Sequence, residues 1–135
     1  MPELTEITDA VTVQMPLSAT LGIRMFGDAE EVEASLAWAP GLCTAGGVLH
    51  GGVLMALADS AGAVCAFLNL PAGGRTVTIE SKTNFFGAVR EGEVRARSRA
   101  LHRGRTTIVV ETDLFDASGR HVARTTQTQA ILIGD

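Results

Sequence analysis

Tyrosine is absent from these 135 residues, tryptophan occurs once, and aromatic residues make up 4% of the chain. Base-stacking platforms for single-stranded nucleic acid need such side chains, so that class is excluded. Positive charge is also scarce. Eleven basic residues face 15 acidic ones, a net charge of -4, whereas nucleic-acid binders usually carry a basic surface. Two cysteines, Cys43 and Cys65, are too few for a disulfide scaffold. No repeat, low-complexity tract or Pro/Gly/Ser linker divides the chain, and its length suits a single domain over residues 1–135. The first ten residues, MPELTEITDA, are acidic and lack a basic segment leading into an apolar run, so a cytoplasmic protein without a signal peptide is expected. No His/Cys/Asp cluster has metal-ligand spacing, and no metal is expected.

What is present is apolar bulk: 46% hydrophobic residues against 19% charged, enough for a well-buried core. Residues 16 to 22, PLSATLG, suit a short helix with Pro16 in its first turn and Gly22 at its end. Ile23 to Phe26 and Glu31 to Trp38 read as strands; in the second, Val32, Ala34, Leu36 and Trp38 alternate with polar residues. Pro40 to Leu49 reads as loop.

The segment from Gly51 to Leu70, GGVLMALADSAGAVCAFLNL, carries one charged residue, Asp59. Its Ala, Leu and Met content favours helix, and Pro71 with Gly73-Gly74 ends it. The aspartate, Asn69 and the strand-like flanks argue against a membrane span, so a buried helix, apolar nearly all round, is expected. Four strand-like stretches follow, 75–86, 93–102, 105–115 and 121–133, read as a mostly antiparallel meander. The class is α+β, with a curved sheet around one long helix.

Asp59 is the first candidate for chemistry. A carboxylate inside a buried helix is costly unless paired, hydrogen-bonded or neutralised, and no Lys or Arg lies in the helix. It is either a base or nucleophile, or a structural aspartate accepting bonds from Thr or backbone donors of the sheet. The helix start, His50-Gly51-Gly52, is second. Free N–H groups at a positive dipole end suit an anion or a polarised carbonyl, and glycines let a ligand approach. The alternative is a tight turn with His50 as cap.

Their spacing matters more than either motif. Nine positions separate His50 from Asp59, placing the acid roughly 13 Å further along the axis and on nearly the opposite azimuth. One chain cannot easily bring both onto one small substrate. Two antiparallel helices can, giving a shared site that occurs twice in a dimer. Ala56, Gly62, Ala63 and Ala66 lie near the Asp59 side, leaving room for a slender ligand or for close packing. Arg95, Arg97 and Arg99 alternate along one strand as a solvated outer face. Arg103-Gly104-Arg105, at a turn, could hold phosphate through the guanidinium fork. His102 and His121 show no partner.

The stretches GGVLHGGVLMALADSAG, TVTIESKTNFFGAVREGE and DASGRHVARTTQTQAIL resemble the hotdog-fold acyl-CoA thioesterases of the phenylacetate-pathway and 4-hydroxybenzoyl-CoA thioesterase superfamily, over about residues 16 to 133. The resemblance implies a homodimer with joined sheets, commonly a tetramer made of two dimers, and a site at the dimer interface. It implies hydrolysis of acyl-CoA with no cofactor beyond the CoA of the substrate, and no nucleic-acid or membrane partner. By matching positions, Asp59 takes the place of the catalytic acid. Gly51 takes that of the N–H polarising the thioester carbonyl, His50 of the motif histidine, and Thr78 of a Ser or Thr holding the attacking water. Gly52, Ala63, Arg103, Gly104 and Arg105 are the expected substrate contacts. Two positions depart from the pattern: Thr44 stands where many members carry Asn or Gln, and Ala63 where some aryl-CoA members carry Ser or Thr. A non-catalytic acyl-CoA binding or sensing module is the alternative.

Overall fold

The computed structural model describes residues 4–134, and its first element is a helix that the sequence pattern does not announce, α1 (Thr8–Gln14). Seven residues cannot hold a helix alone. Tertiary bonds hold it instead: the Ile7 N–H donates to the Met25 carbonyl at 2.9 Å, and the Met25 N–H to Thr8 Oγ1 at 2.9 Å. Helix α2 (Pro16–Leu21) begins on its proline and ends on Gly22, whose φ of 70° is the left-handed conformation glycine adopts most cheaply.

Strands β1 (Arg24–Gly27) and β2 (Val32–Ala37) pair antiparallel across Asp28, which turns the chain by accepting from the Glu30 and Glu31 N–H groups. Two short 3₁₀ turns, Pro40–Leu42 and Ala45–Gly47, lead into α3 (Gly51–Phe67). That helix stops three residues short of the sequence expectation. Asn69 Nδ2 turns back to the Cys65 carbonyl at 2.8 Å and also reaches the Ala29 carbonyl at 2.8 Å, satisfying a carbonyl the helix end would orphan.

Strands β3 (Gly74–Phe85), β4 (Glu93–Arg103), β5 (Thr107–Phe115) and β6 (His121–Ile133) complete one six-stranded sheet in the order β1-β2-β4-β5-β6-β3, every neighbouring pair antiparallel. The meander therefore holds only for β4, β5 and β6. Strand β3 does not adjoin β4 but lies beyond β6, at the sheet edge, and residues 86–92 cross the strand ends to reach β4. The Phe86 N–H donates to the Val122 carbonyl at 2.7 Å on the way. The result is the α+β hotdog arrangement, a long helix held in a curved antiparallel sheet.

Helix and sheet share one core. Leu54, Leu57, Ala58, Ala61 and Cys65 of α3 pack with Leu36, Val94, Ala96, Val110 and Leu114 of the sheet. Burial pushes the Cys65 thiol up to about 11, so it is an inert packing group. The helix is not covered all round, however. Met55 is exposed, and Ala56, Asp59 and Ala63 are only half-buried, so one stripe remains open.

The outer sheet face is charged. Arg95, Arg97 and Arg99 point to solvent, and Arg97 pairs with Glu31 at 2.9 Å. His121, for which the sequence offered no partner, meets Asp113 at 2.8 Å, as does Arg124 at 2.7 Å. Burial alone would raise the Asp113 pKa, but the bonds and charges of Arg124 and His121 outweigh it and hold the carboxyl below its ordinary value. A depressed folded-state pKa stabilises the fold above the unfolded value and ceases to do so as pH falls through the folded one. The urea midpoints of the wild type and Asp113→Asn are therefore expected to differ at neutral pH and to converge as pH drops below about 4. A gap that stays constant with pH would show that the charge on Asp113 adds no stability.

Candidate active site

His50 is the N-cap of α3. Its ring Nδ1 accepts from the Gly52 N–H at 2.8 Å and its carbonyl accepts from the Val53 N–H at 2.9 Å, so the neutral ring carries its proton on Nε2. The cap spends one of the first N–H groups and leaves another. Among the described residues nothing accepts from the Gly51 N–H, which lies at the positive end of the helix. A side chain at residue 51 would press on the exposed Phe85 ring, which would have to give by a few tenths of an ångström. A β-carbon there would stand 3.2 Å from Phe85 Cζ, because the ring at the end of β3 lies against the helix start.

Two turns further on, Asp59 faces the sheet. Thr78 Oγ1 donates to Asp59 Oδ1 at 3.2 Å and Gln127 Nε2 donates to the same oxygen at 3.0 Å. Oδ2 accepts from no described residue and remains open to solvent. The structural role foreseen for Asp59, accepting from a threonine of the sheet, is thus present, and half the carboxylate is still available. Behind Thr78, Gln129 Nε2 donates to its hydroxyl at 2.7 Å. Sequence reasoning found Thr78 and missed both glutamines. Thr125, Gln127 and Gln129 share one face of β6 with the buried Ala123, and only the strand register shows that this polar run points inward.

The remaining candidates are spread out. Thr44 is exposed on the loop before the helix, where its N–H donates to the Val48 carbonyl at 2.8 Å and its hydroxyl makes no bond with a described residue. Gly52 is exposed in the first turn, and Ala63 is half-buried one turn past Asp59. Arg103, Gly104 and Arg105 form the β4–β5 turn by the far end of α3, where Arg103 Nη2 reaches the Ala29 carbonyl at 3.5 Å. Gly51 and Phe67 lie about 24 Å apart at 1.5 Å per residue, so a single chain does not bring the arginines to Gly51. Nor does a single chain enclose Asp59. Hollows of about 420 and 460 Å³ open around Asp116 and Ser118 on other surfaces, and Asp59 lines neither. Next to Asp59, the edge strand β3 has β6 as its one partner in the sheet and exposes Val77 (50%) and Ile79 (63%).

Among the described residues no three His, Cys, Asp or Glu side chains group as metal ligands, and no helix is long and apolar enough to cross a membrane.

Residues 46–123 match the family model described as the thioesterase superfamily. The chain is 36% identical over 86 residues to a 1,4-dihydroxy-2-naphthoyl-CoA hydrolase of Escherichia coli (strain K12), covering 64% of this chain and 63% of that one. It thus spans less than two thirds of that curated relative's length. Among solved structures, a thioesterase from Haemophilus influenzae superposes with a TM-score of 0.87 at 26% identity, covering 94% of this chain and 91% of that one. A mutant thioesterase from Pseudomonas aeruginosa gives a TM-score of 0.87 at 28% identity, covering 93% and 94%.

Proposed function

Because this chain belongs to the thioesterase superfamily, we propose that it hydrolyses an acyl-CoA thioester to the free acid and CoA, in sites shared between two copies of the chain. The observation that carries the reading is the disposition of α3: an unsatisfied Gly51 N–H at its start and a half-open Asp59 in its middle, facing different ways. Antiparallel apposition of two α3 helices brings one chain's Gly51 to the other's Asp59. The exposed Val77 and Ile79 on the unpaired edge of β3, beside Asp59, suit the same contact. The name of the E. coli relative supports the CoA half of the substrate.

The chemistry asks little of the protein. A thiol leaving group has a pKa of about 8.5 in the cysteine reference and departs without a strong general acid. The Gly51 N–H stabilises negative charge on the carbonyl oxygen. Asp59 Oδ2 takes a proton from water as the water oxygen adds to the carbonyl carbon; the C–S bond then breaks and the CoA thiolate leaves. In the alternative route Oδ2 itself attacks the carbonyl carbon, the C–S bond breaks with departure of the CoA thiolate, and water then opens the anhydride to the free acid and the Asp59 carboxylate.

Thiol release from acetyl-, hexanoyl-, benzoyl- and phenylacetyl-CoA tests this directly. Binding without release from any of them would favour the non-catalytic module, a reading that the exposed, unbonded Thr44 hydroxyl keeps in view. The same assay addresses the β4–β5 turn. With Gly51 of one copy beside Asp59 of the other, the far end of the other copy's α3, with its Arg103 and Arg105, stands about 12 Å beyond Gly51 at 1.5 Å per residue, a span that the long CoA arm of the substrate can bridge to its nucleotide. Replacing both by Ala is expected to raise KM for acyl-CoA severalfold and leave KM for an N-acetylcysteamine thioester unchanged. An equal rise for both substrates would remove the arginines from the nucleotide.

A further inference from the structure

The hydrogen bonds behind Asp59 run in one direction. Thr76 Oγ1 donates to Gln129 Oε1 at 2.9 Å, which fixes that amide so that its Nε2 donates to Thr78 Oγ1 at 2.7 Å. Having received that bond, the Thr78 hydroxyl turns its one proton to Asp59 Oδ1, since an ionised carboxylate has none to give. Gln127 is oriented by the same rule, its NH₂ facing the carboxylate. Both glutamines are about 1% exposed.

Gln127 accepts a cost in this position. Its Oε1 is buried with no donor and lies against α3 at Gly62, where a β-carbon would collide with it. A buried acceptor without a partner destabilises a fold, so packing alone does not account for a glutamine here. What the residue delivers is its Nε2 bond to Asp59.

We infer that Gln127 and Gln129 are positioning residues: they clamp Asp59 through Oδ1, directly and through Thr78, so that Oδ2 is the oxygen presented to water or to the thioester. The inference rests on the reading of Asp59 given above. Gly62 belongs to the device, because only glycine lets the Gln127 amide lie against the helix.

The test uses the acyl-CoA of the four-member panel that the wild type turns over fastest, with kcat per folded chain and KM as readouts. Gln127→Leu and Thr78→Val are each expected to lower kcat about tenfold or more and keep KM within about threefold. Thr78→Ser, which keeps the hydroxyl, is expected to restore wild-type kcat. Gln127→Glu keeps the shape of the side chain but replaces the donor with an acceptor facing Asp59, and is expected to lower kcat at least as far as Gln127→Leu. Gly62→Ala displaces Gln127 without altering it, so its kcat is expected to follow Gln127→Leu; it and Thr78→Val also serve if Gln127→Leu does not fold. A lowered melting temperature with kcat per folded chain unchanged in Gln127→Leu, Gly62→Ala and Thr78→Val would reduce the network to scaffolding. Full activity in Asp59→Asn would overturn the parent reading and this one with it, a result legible from that variant alone.

Discussion

Asp59→Asn is expected to lower kcat about 10²–10⁴-fold while the chain stays folded and KM stays within about threefold. The geometry makes this a clean substitution. Thr78 and Gln127 both donate to Oδ1, and an asparagine oxygen at that place accepts both bonds. The new NH₂ falls where Oδ2 was, open to solvent, so no donor is buried unsatisfied. What disappears is the base and the nucleophilic oxygen. Thiol release and thermal melting of the same preparation check the two halves of the expectation. Should the variant keep wild-type kcat, Asp59 is an acceptor for the sheet and nothing more.

The second large effect is recovery of activity from two dead parents. Gly51→Pro removes the free N–H and is expected to be as inactive as Asp59→Asn. The backbone tolerates it. Proline suits the first helical position, and His50 before it, at φ -59° and ψ 134°, already has the extended conformation a pre-proline residue prefers. Gly51→Ala is the control, because its β-carbon presses on Phe85 in the same way and keeps the N–H. If sites are shared, unfolding and refolding the two variants together makes about half the dimers mixed. Each mixed dimer holds one intact site, so about a quarter of wild-type activity should return. No recovery in dimers shown to be mixed would put each site within a single chain.

The strands were legible because alternation is a local property. Val94, Ala96 and Ser98 face inward against Arg95, Arg97 and Arg99, and a sequence window contains that whole pattern. The place of β3 was not. Its alternation does not say whether it pairs with β4 or β6, and the pairing is between segments some fifty residues apart. Helix α1 was missed for a related reason, since its support comes from Thr8 and Met25 meeting across the fold. In the site, Asp59 stood out as the one charge in an apolar helix, and Thr78 came with the family resemblance. Gln127 and Gln129 had no such marker, because an amide in a strand reads as solvent-facing until the register is known. The distance between Gly51 and the Arg103 turn likewise followed from helix length only once the turn was tied to Ala29 and the far end of α3.

The strand order also sets a timetable for synthesis. Strand β3 is made early and pairs only with β6, the last strand, so on the ribosome it must wait for its partner. At about 5–20 residues per second the wait lasts some seconds. During it Val77 and Ile79 belong to an edge strand with neither side paired, the state in which strands most readily join the wrong chain. The arrival of β6 closes the sheet and brings Gln127 and Gln129 to Asp59 in the same event. A nascent chain therefore has no half-built site: the carboxylate acquires its orientation only when the whole sheet exists.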